Sequence, residues 1–270
     1  TKRPNILMLV TDDQRYDTIA ALGNPHISKP NMDGLAARGM SFTYVYIPGG
    51  TVARCVCLAG QCYIQVAICL VYKNAAPTCR KSTILLGNIL RQTGYFCFET
   101  GKWYNGPLAF PRAFEAGDDI FFSGMWNHWN VPPNRYDPLA SKNESEFHIG
   151  FQTWKAGGKE PLQYFYPGVH SSMIVTDYSI RFLEQAPEDK TFFSMLHFGL
   201  RTILEDAGRF RRIYDQQAMP ISANFQQEHP FKLGAHDLRD ERLAPYPRTE
   251  KDTRKQTADY YVMITHLEMG

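Results

Sequence analysis

No stretch of this sequence reaches the roughly 18 consecutive apolar residues that a membrane-spanning helix requires, so no membrane span is expected. Blocks of like charge are missing too. The 270 residues carry 29 Lys and Arg against 27 Asp and Glu, a net charge of +2, which leaves no electrostatic footprint for nucleic acid. Thr1 stands almost on the first strand with no signal-peptide pattern before it, as expected of a mature or trimmed chain. Internal repeats and low-complexity segments are absent. Five of the six cysteines (Cys55, Cys57, Cys62, Cys69 and Cys79) crowd into one stretch without paired C-x-x-C knuckles or an interleaved histidine, which excludes the usual structural zinc arrangements. A secreted disulfide framework would spread its cysteines through a smaller chain. With 44% apolar and 21% charged residues, the composition is that of a globular protein with room for a sizeable core.

What is present is an alternation of strand and helix signals. The apolar run from Ile6 to Val10, bounded by Pro4 and a sudden cluster of charge, predicts a strand over 5–10 buried on both faces. A helix over residues 30–38 closes at Gly39, and 42–46 reads as a second strand. Residues 51–81 show no clean period. A helix over 83–93, with Ile84, Leu85, Ile89 and Leu90 as its apolar positions, ends at Gly94. A strand over 95–99 then delivers Gly101-Lys102-Trp103. Residues 104–169, aromatic and rich in Pro and Gly, read as a long insertion of the kind that faces a ligand. A helix over 171–184 carries Ile174, Tyr178 and Phe182 on one face and leads to a strand over 191–196. Residues 208–248 read mostly as surface loop, and 252–268 as a final helix with Tyr260, Tyr261, Ile264 and Leu267 as core contacts. Strands alternating with helices predict an α/β fold with a mostly parallel sheet.

Two places carry chemistry. Asp12 and Asp13 stand side by side just past the C-terminal end of the first strand, where open α/β sheets place their ligands. Adjacent carboxylates repel, and a divalent cation holds them together; hard oxygen ligands suit calcium or magnesium. The same pair also reads as a polar strand-to-helix turn with an N-cap. His128, in the setting Trp-Asn-His-Trp, is the histidine best placed to line a substrate pocket, since the aromatic faces around it suit a sugar or aryl group. Taken singly, each of His26, His128, His148, His170, His229, His236 and His266 also reads as an ordinary surface or core residue.

The opening PNILMLVTDDQRYD, followed by Pro30-Asn-Met-Asp33-Gly-Leu-Ala-Ala-Arg-Gly39, Phe42-Thr43 and Tyr46, resembles the start of the sulfatase family, within the alkaline-phosphatase-like superfamily. The resemblance returns at Thr100-Gly-Lys102-Trp-Tyr104-Asn-Gly106 and in FEAGDDIFFSGMWNHWNVPPNRYDP from Phe114. It appears again in HPF, RDERLAPYPRT and ADYYVMITHLE between residues 214 and 267. It implies an alkaline-phosphatase-like α/β fold, a mostly parallel central sheet flanked by helices. Residues 1–270 would be the N-terminal portion of the catalytic domain, with the C-terminal part of the family fold missing. It further implies a formylglycine nucleophile, made from the Cys or Ser of C/S-x-P-S-R, that attacks a sulfate ester. A calcium ion, with magnesium as the alternative, would be held partly by Asp12 and Asp13. Lys102 matches the sulfate-binding lysine of the family's G-K-W-H motif. The implied partner is a small sulfated substrate, a sugar or aryl sulfate, met in a secreted, periplasmic or lysosomal setting.

Departures from the family pattern are concentrated. Tyr104 stands where G-K-W-H has its histidine, and brings a much higher pKa. No C-x-P-S-R occurs: Cys57-Leu-Ala-Gly-Gln61 keeps only the spacing, and Gln61 lacks the arginine's charge. His197-Phe-Gly-Leu-Arg201 replaces the family's A-P-H-D-P, and Gly270 precedes the family's second aspartate-containing metal segment. Residues 52–67, back-translated with degenerate codons and read one base out of register, permit Gly-Ala-Val-Cys-Met-Pro-Ser-Arg-Ala-Met-Leu-Tyr-Thr-Gly-Arg. The same shift over 194–205 permits Tyr-Ala-Ser-Phe-Trp-Ala-Pro-His-Asp-Pro-Arg. Compensated frameshifts at about 51–81 and 194–207 account for both, and for the cysteine cluster. They place the restored cysteine at Cys55–Val56 and the restored histidine at Thr202. The catalytic candidates are therefore Cys55, Cys57, Lys102, Tyr104 and Thr202, with Lys102 and His128 for substrate and Asp12 and Asp13 for metal. Taken literally, the sequence predicts little or no turnover and a non-catalytic, anion-binding protein. A phosphodiesterase or phosphonate hydrolase of the same superfamily is the further alternative, and the recovered Cys-Met-Pro-Ser-Arg speaks against it.

Overall fold

The computed structural model describes residues 3–12, 14–27, 30–45, 84–103, 105, 109–121, 127–129, 131, 133–134, 136, 168–198, 212–231 and 244–269. The chain divides into two compact units, one from Thr1–Asp12 and Tyr44–Gly199, the other from Asp13–Thr43 and Leu200–Gly270.

The first unit is built on a four-stranded sheet. Its strands are β1 (Ile6–Thr11), β2 (Phe96–Lys102), β3 (Ala116–Phe121) and β4 (Phe192–Phe198), in the order β1-β4-β2-β3. Every pairing is parallel, as the alternation of signals predicts. Side chains alternate along β2 as far as Thr100, so Cys97 and Glu99 share one face while Phe98 and Thr100 share the other; Gly101, at φ 99° beside a register shift against β3, interrupts the alternation before Lys102. On the first face Cys97, Phe193 and Met195 meet Trp103, Phe110, Phe114 and Ile120 in one apolar cluster. On the second, a helix over Ser171–Gln185 crosses from β3 to β4 and lays Phe182 flat on Phe98, with ring centroids 4.1 Å apart. The sequence marked that helix correctly, down to Phe182 on its inward face.

Several expectations need correction. In β1 Leu7 and Leu9 are 50% and 49% exposed, so this strand, at the edge of the described sheet, has one covered face and not two. Phe42, Tyr44 and Val45 form no strand; they are exposed, because no described strand pairs with them. Tyr46 and residues 51–81 lie outside the described residues. The helix expected over 83–93 is Leu86–Gln92; Ile84 before it and Ile89 within it are exposed. Leu85, its N-cap, is buried, and Gly87 lies against Ala113, where an added Cβ would come within 2.4 Å of the carbonyl oxygen. The stretch 104–169 is not only an insertion. It supplies the short helix Phe110–Ala113 and strand β3, because Phe110, Phe114 and Ile120 are apolar enough to complete the core.

In the second unit, a helix over Pro30–Arg38 ends before Gly39 as expected, and the final helix covers Glu250–Met269. Ile27, Tyr214, Met219, Ala258, Tyr261, Val262 and Ile264 make its core. The Glu268 carboxylate accepts from the backbone N–H groups of Asn31 and Met32 at 2.5 and 2.7 Å, satisfying donors that the start of a helix leaves open. No helix among the described residues is long and apolar enough to cross a membrane.

Candidate active site

Strand register brings two charges together at the C-terminal ends of the sheet. Thr11 pairs with Phe198 and Gly101 with His197, so β1 and β2 finish level on either side of β4. Asp12 follows β1 and donates its N–H to the Phe198 carbonyl at 3.1 Å. Lys102 closes β2, and its Nζ donates to Asp12 Oδ2 at 2.5 Å. Both side chains are only 5% exposed. An ammonium and a carboxylate this deep are tolerated because each neutralises the other; either alone would carry a large desolvation cost. The two residues selected from separate motifs thus meet 90 positions apart.

The implied cation can be tested against these donors. Calcium takes roughly six to eight oxygen ligands. Among the described residues Asp12 offers one carboxylate whose Oδ2 already faces an ammonium, and no group of three or more His, Cys, Asp or Glu surrounds it. Asp13 lies outside the described residues. Those described do not by themselves fit a divalent cation, and their own chemistry is that of a carboxylate–ammonium pair. Such a pair suits an oxyanion, whose oxygens can share the ammonium that the carboxylate holds in place.

Cys55, Cys57, Tyr104 and Thr202 also fall outside the described residues. His128 is buried; its Nδ1 lies 2.8 Å from Ser171 Oγ, and its ring stacks on His170 at 5.2 Å. In the sequence His170 reads only as an ordinary histidine. It caps the Ser171–Gln185 helix, its Nδ1 accepting from the Ser172 N–H at 3.3 Å. Its place directly before a helical apolar pattern is the available signal, but histidine is not a usual N-cap.

Two further buried groups lie on the core face of β2. Glu99 is fully buried, and neither carboxylate oxygen meets a partner among the described residues. Burial pushes its carboxyl well above the usual range. Desolvation, reinforced by the neighbouring Glu115 charge, pushes the Cys97 thiol up to about 12, which leaves it protonated and inert.

Comparison with known proteins bears on the family and the fold. The family model described as Sulfatase matches residues 4–200. The N-acetylglucosamine-6-O-sulfatase of Bacteroides thetaiotaomicron is 26% identical over 200 residues, covering 73% of this chain and 30% of that protein. The structure of BT4656 in complex with its substrate D-glucosamine-2-N,6-O-disulfate is similar with a TM-score of 0.60 at 24% identity, over 83% of this chain and 40% of that one. The phosphonate monoester hydrolase of Agrobacterium radiobacter is similar with a TM-score of 0.67 at 19% identity, over 99% of this chain and 57% of that one. At these identities the structural likeness is one of fold. The chain spans about a third or less of the length of the curated relatives it matches.

Proposed function

This chain belongs to the sulfatase family, and from that premise we propose that it forms part of a sulfate ester hydrolase acting on a sulfated sugar. The observation that carries the reading is the buried Lys102–Asp12 pair at the C-terminal ends of parallel strands. Lys102 would grip the non-bridging oxygens of the sulfate group, and Asp12 would keep the ammonium charged and aimed. As charge builds on those oxygens during S–O cleavage, an ammonium fixed in a dry site needs no reorganisation to meet it. A sulfated amino sugar is favoured over a simple aryl sulfate by the neighbour solved with D-glucosamine-2-N,6-O-disulfate and by the N-acetylglucosamine-6-O-sulfatase relative. His128, among Trp129 and His170, would meet the sugar. Such a substrate fits a secreted, periplasmic or lysosomal setting.

The nucleophile would be a formylglycine made from the cysteine that the shifted frame restores at Cys55–Val56. The proton donor would be the histidine restored at Thr202. Asp12 would hold calcium only together with Asp13 and further oxygen donors, and the ion would then supply positive charge beside the sulfate oxygens. Peptide mass mapping of the purified protein across 41–101 and 190–210, paired with release of sulfate from glucosamine 6-sulfate in the presence of calcium, tests this. A peptide containing Cys-x-Pro-Ser-Arg, or its formylglycine form, together with turnover supports it. Masses matching Cys55-Val-Cys57-Leu and His197-Phe-Gly-Leu, with no sulfate released, would leave a non-catalytic anion-binding protein.

A further inference from the structure

We propose that His170 is a positioning residue of this site, holding the ring of His128 toward the end of β2 where Lys102 lies. The proposal rests on the sulfated-sugar reading for what His128 touches, but its geometry stands separately.

Direction in the fold comes first. The Ser171–Gln185 helix joins β3 to β4, two strands parallel to β2, so it must run back against them. Phe182, in its last turn, confirms this. Its ring lies 6.0 Å from that of Phe96 and edge-on to Phe192 at 5.8 Å, and these are the first residues of β2 and β4. His170 precedes Phe182 by twelve residues, about 18 Å of helix at 1.5 Å each. Strand β2 rises about 20 Å from Phe96 to Lys102. The helix start and Lys102 therefore sit at the same end of the sheet.

The cluster at that helix start is built around two rings. His128 is tied through its Nδ1 to Ser171 Oγ, and its carbonyl accepts from the Ser171 N–H at 2.8 Å. His170 stacks on it within 19° of parallel, and Trp129 closes edge-on to His170 at 5.1 Å. The Ser172 N–H donates to His170 Nδ1, and the Met173 N–H to the His170 carbonyl at 2.9 Å. With these N–H groups engaged by the histidines, the helix start offers little to an anion, and the pair serves the site through its rings. Accepting at Nδ1 fixes the orientation of the His170 ring, which forms the floor for His128.

Capping and stacking can be separated by substitution. His170→Asn keeps a good N-cap acceptor and removes the ring. His170→Phe keeps a ring and removes the acceptor. The measurements are thermal unfolding, the NMR titration of the His128 ring, and affinity for glucosamine 6-sulfate. His170→Asn is expected to unfold near the wild-type temperature, move the His128 titration, and weaken glucosamine 6-sulfate roughly tenfold, a loss of about 1.4 kcal/mol. If His128 titrates as in wild type and affinity is unchanged, His170 is a cap alone and the proposal fails. If His170→Asn does not fold, His170→Phe decides: a wild-type His128 titration supports stacking, and a displaced one overturns it. Wild-type protein that ignores glucosamine 6-sulfate while His170→Asn still moves the His128 titration would sink the sugar reading and leave the positioning role standing.

Discussion

Glu99 and Lys102 stand three residues apart on one strand and are equally removed from water, yet their circumstances are opposite. Lys102, past the irregularity at Gly101, meets the Asp12 carboxylate at 2.5 Å where β1 ends. Glu99 turns to the apolar face, level with Gly117 and Met195 on the flanking strands, and has no described partner. Both are buried charges in name, but burial pushes the Glu99 carboxyl well above its ordinary range, toward its neutral form. The contrast teaches that burial alone does not mark a functional charge. The mark is a partner delivered from a distant part of the chain, which is what the level ends of β1 and β2 provide for Lys102.

Lys102→Met should break the contrast most severely, by removing the ammonium that neutralises the buried Asp12 carboxylate. A loss of about 3–5 kcal/mol in chemical denaturation is expected. Adding Asp12→Asn should recover most of it; a double variant as unstable as the single would mean that Lys102 contributes packing and not charge. Glu99→Met should act in the opposite direction, raising stability at neutral pH by about 1–3 kcal/mol as an unsatisfied polar group leaves the core. A destabilised Glu99→Met protein would show that the carboxyl has a partner after all.

Acidity gives a third handle. Glu99 ionises near its ordinary 4.5 when unfolded and well above that when folded. Between those values the native state holds a proton that the unfolded state has released, so stability is full at or below the ordinary value and falls as pH rises. Denaturation midpoints recorded from pH 5 upward should decline in wild type, and Glu99→Met should remove that part of the slope. The smallest effect belongs to the pair Lys255–Asp259 at 3.0 Å, one helical turn apart, whose lysine is 57% exposed. Lys255→Ala should cost only about 0.3–0.5 kcal/mol, the same chemistry as Lys102–Asp12 with water left in place. A larger loss would undo the claim that burial sets the scale.

Much of this was legible in the order of residues. A short apolar run ending in Asp12, and a strand ending in Gly101-Lys102, gave both halves of the pair, since the C-terminal end of a parallel sheet is where such groups collect. The helices at Pro30–Arg38 and Ser171–Gln185 were readable from the glycine stop and from the spacing of Ile174, Tyr178 and Phe182. What failed were judgements about surroundings. Phe42 and Tyr44 have strand-like character but no described strand to pair with. Ile84 and Ile89 are apolar yet face outward, because Gly87 allows a closer approach on the opposite side. Phe110 and Ile120 were hidden in a Pro- and Gly-rich stretch whose overall composition outweighed two short elements. His170 was not recognisable as a cap, since its role depends on His128 lying against it, 42 positions earlier in the sequence.

The tie between Glu268 and the backbone of Asn31 and Met32 also sets a schedule. These groups are 237 and 236 positions apart, and a ribosome adds about 5–20 residues per second. The start of the Pro30–Arg38 helix therefore emerges roughly ten to fifty seconds before the carboxylate that caps it. Through that interval its open N–H groups face water or a chaperone, while strands β1, β2, β3 and β4 are all made. The first α-helix among the described residues is among the last to be secured, and a ribosome halted before residue 268 would hold the sheet's four described strands but not the lock on that helix.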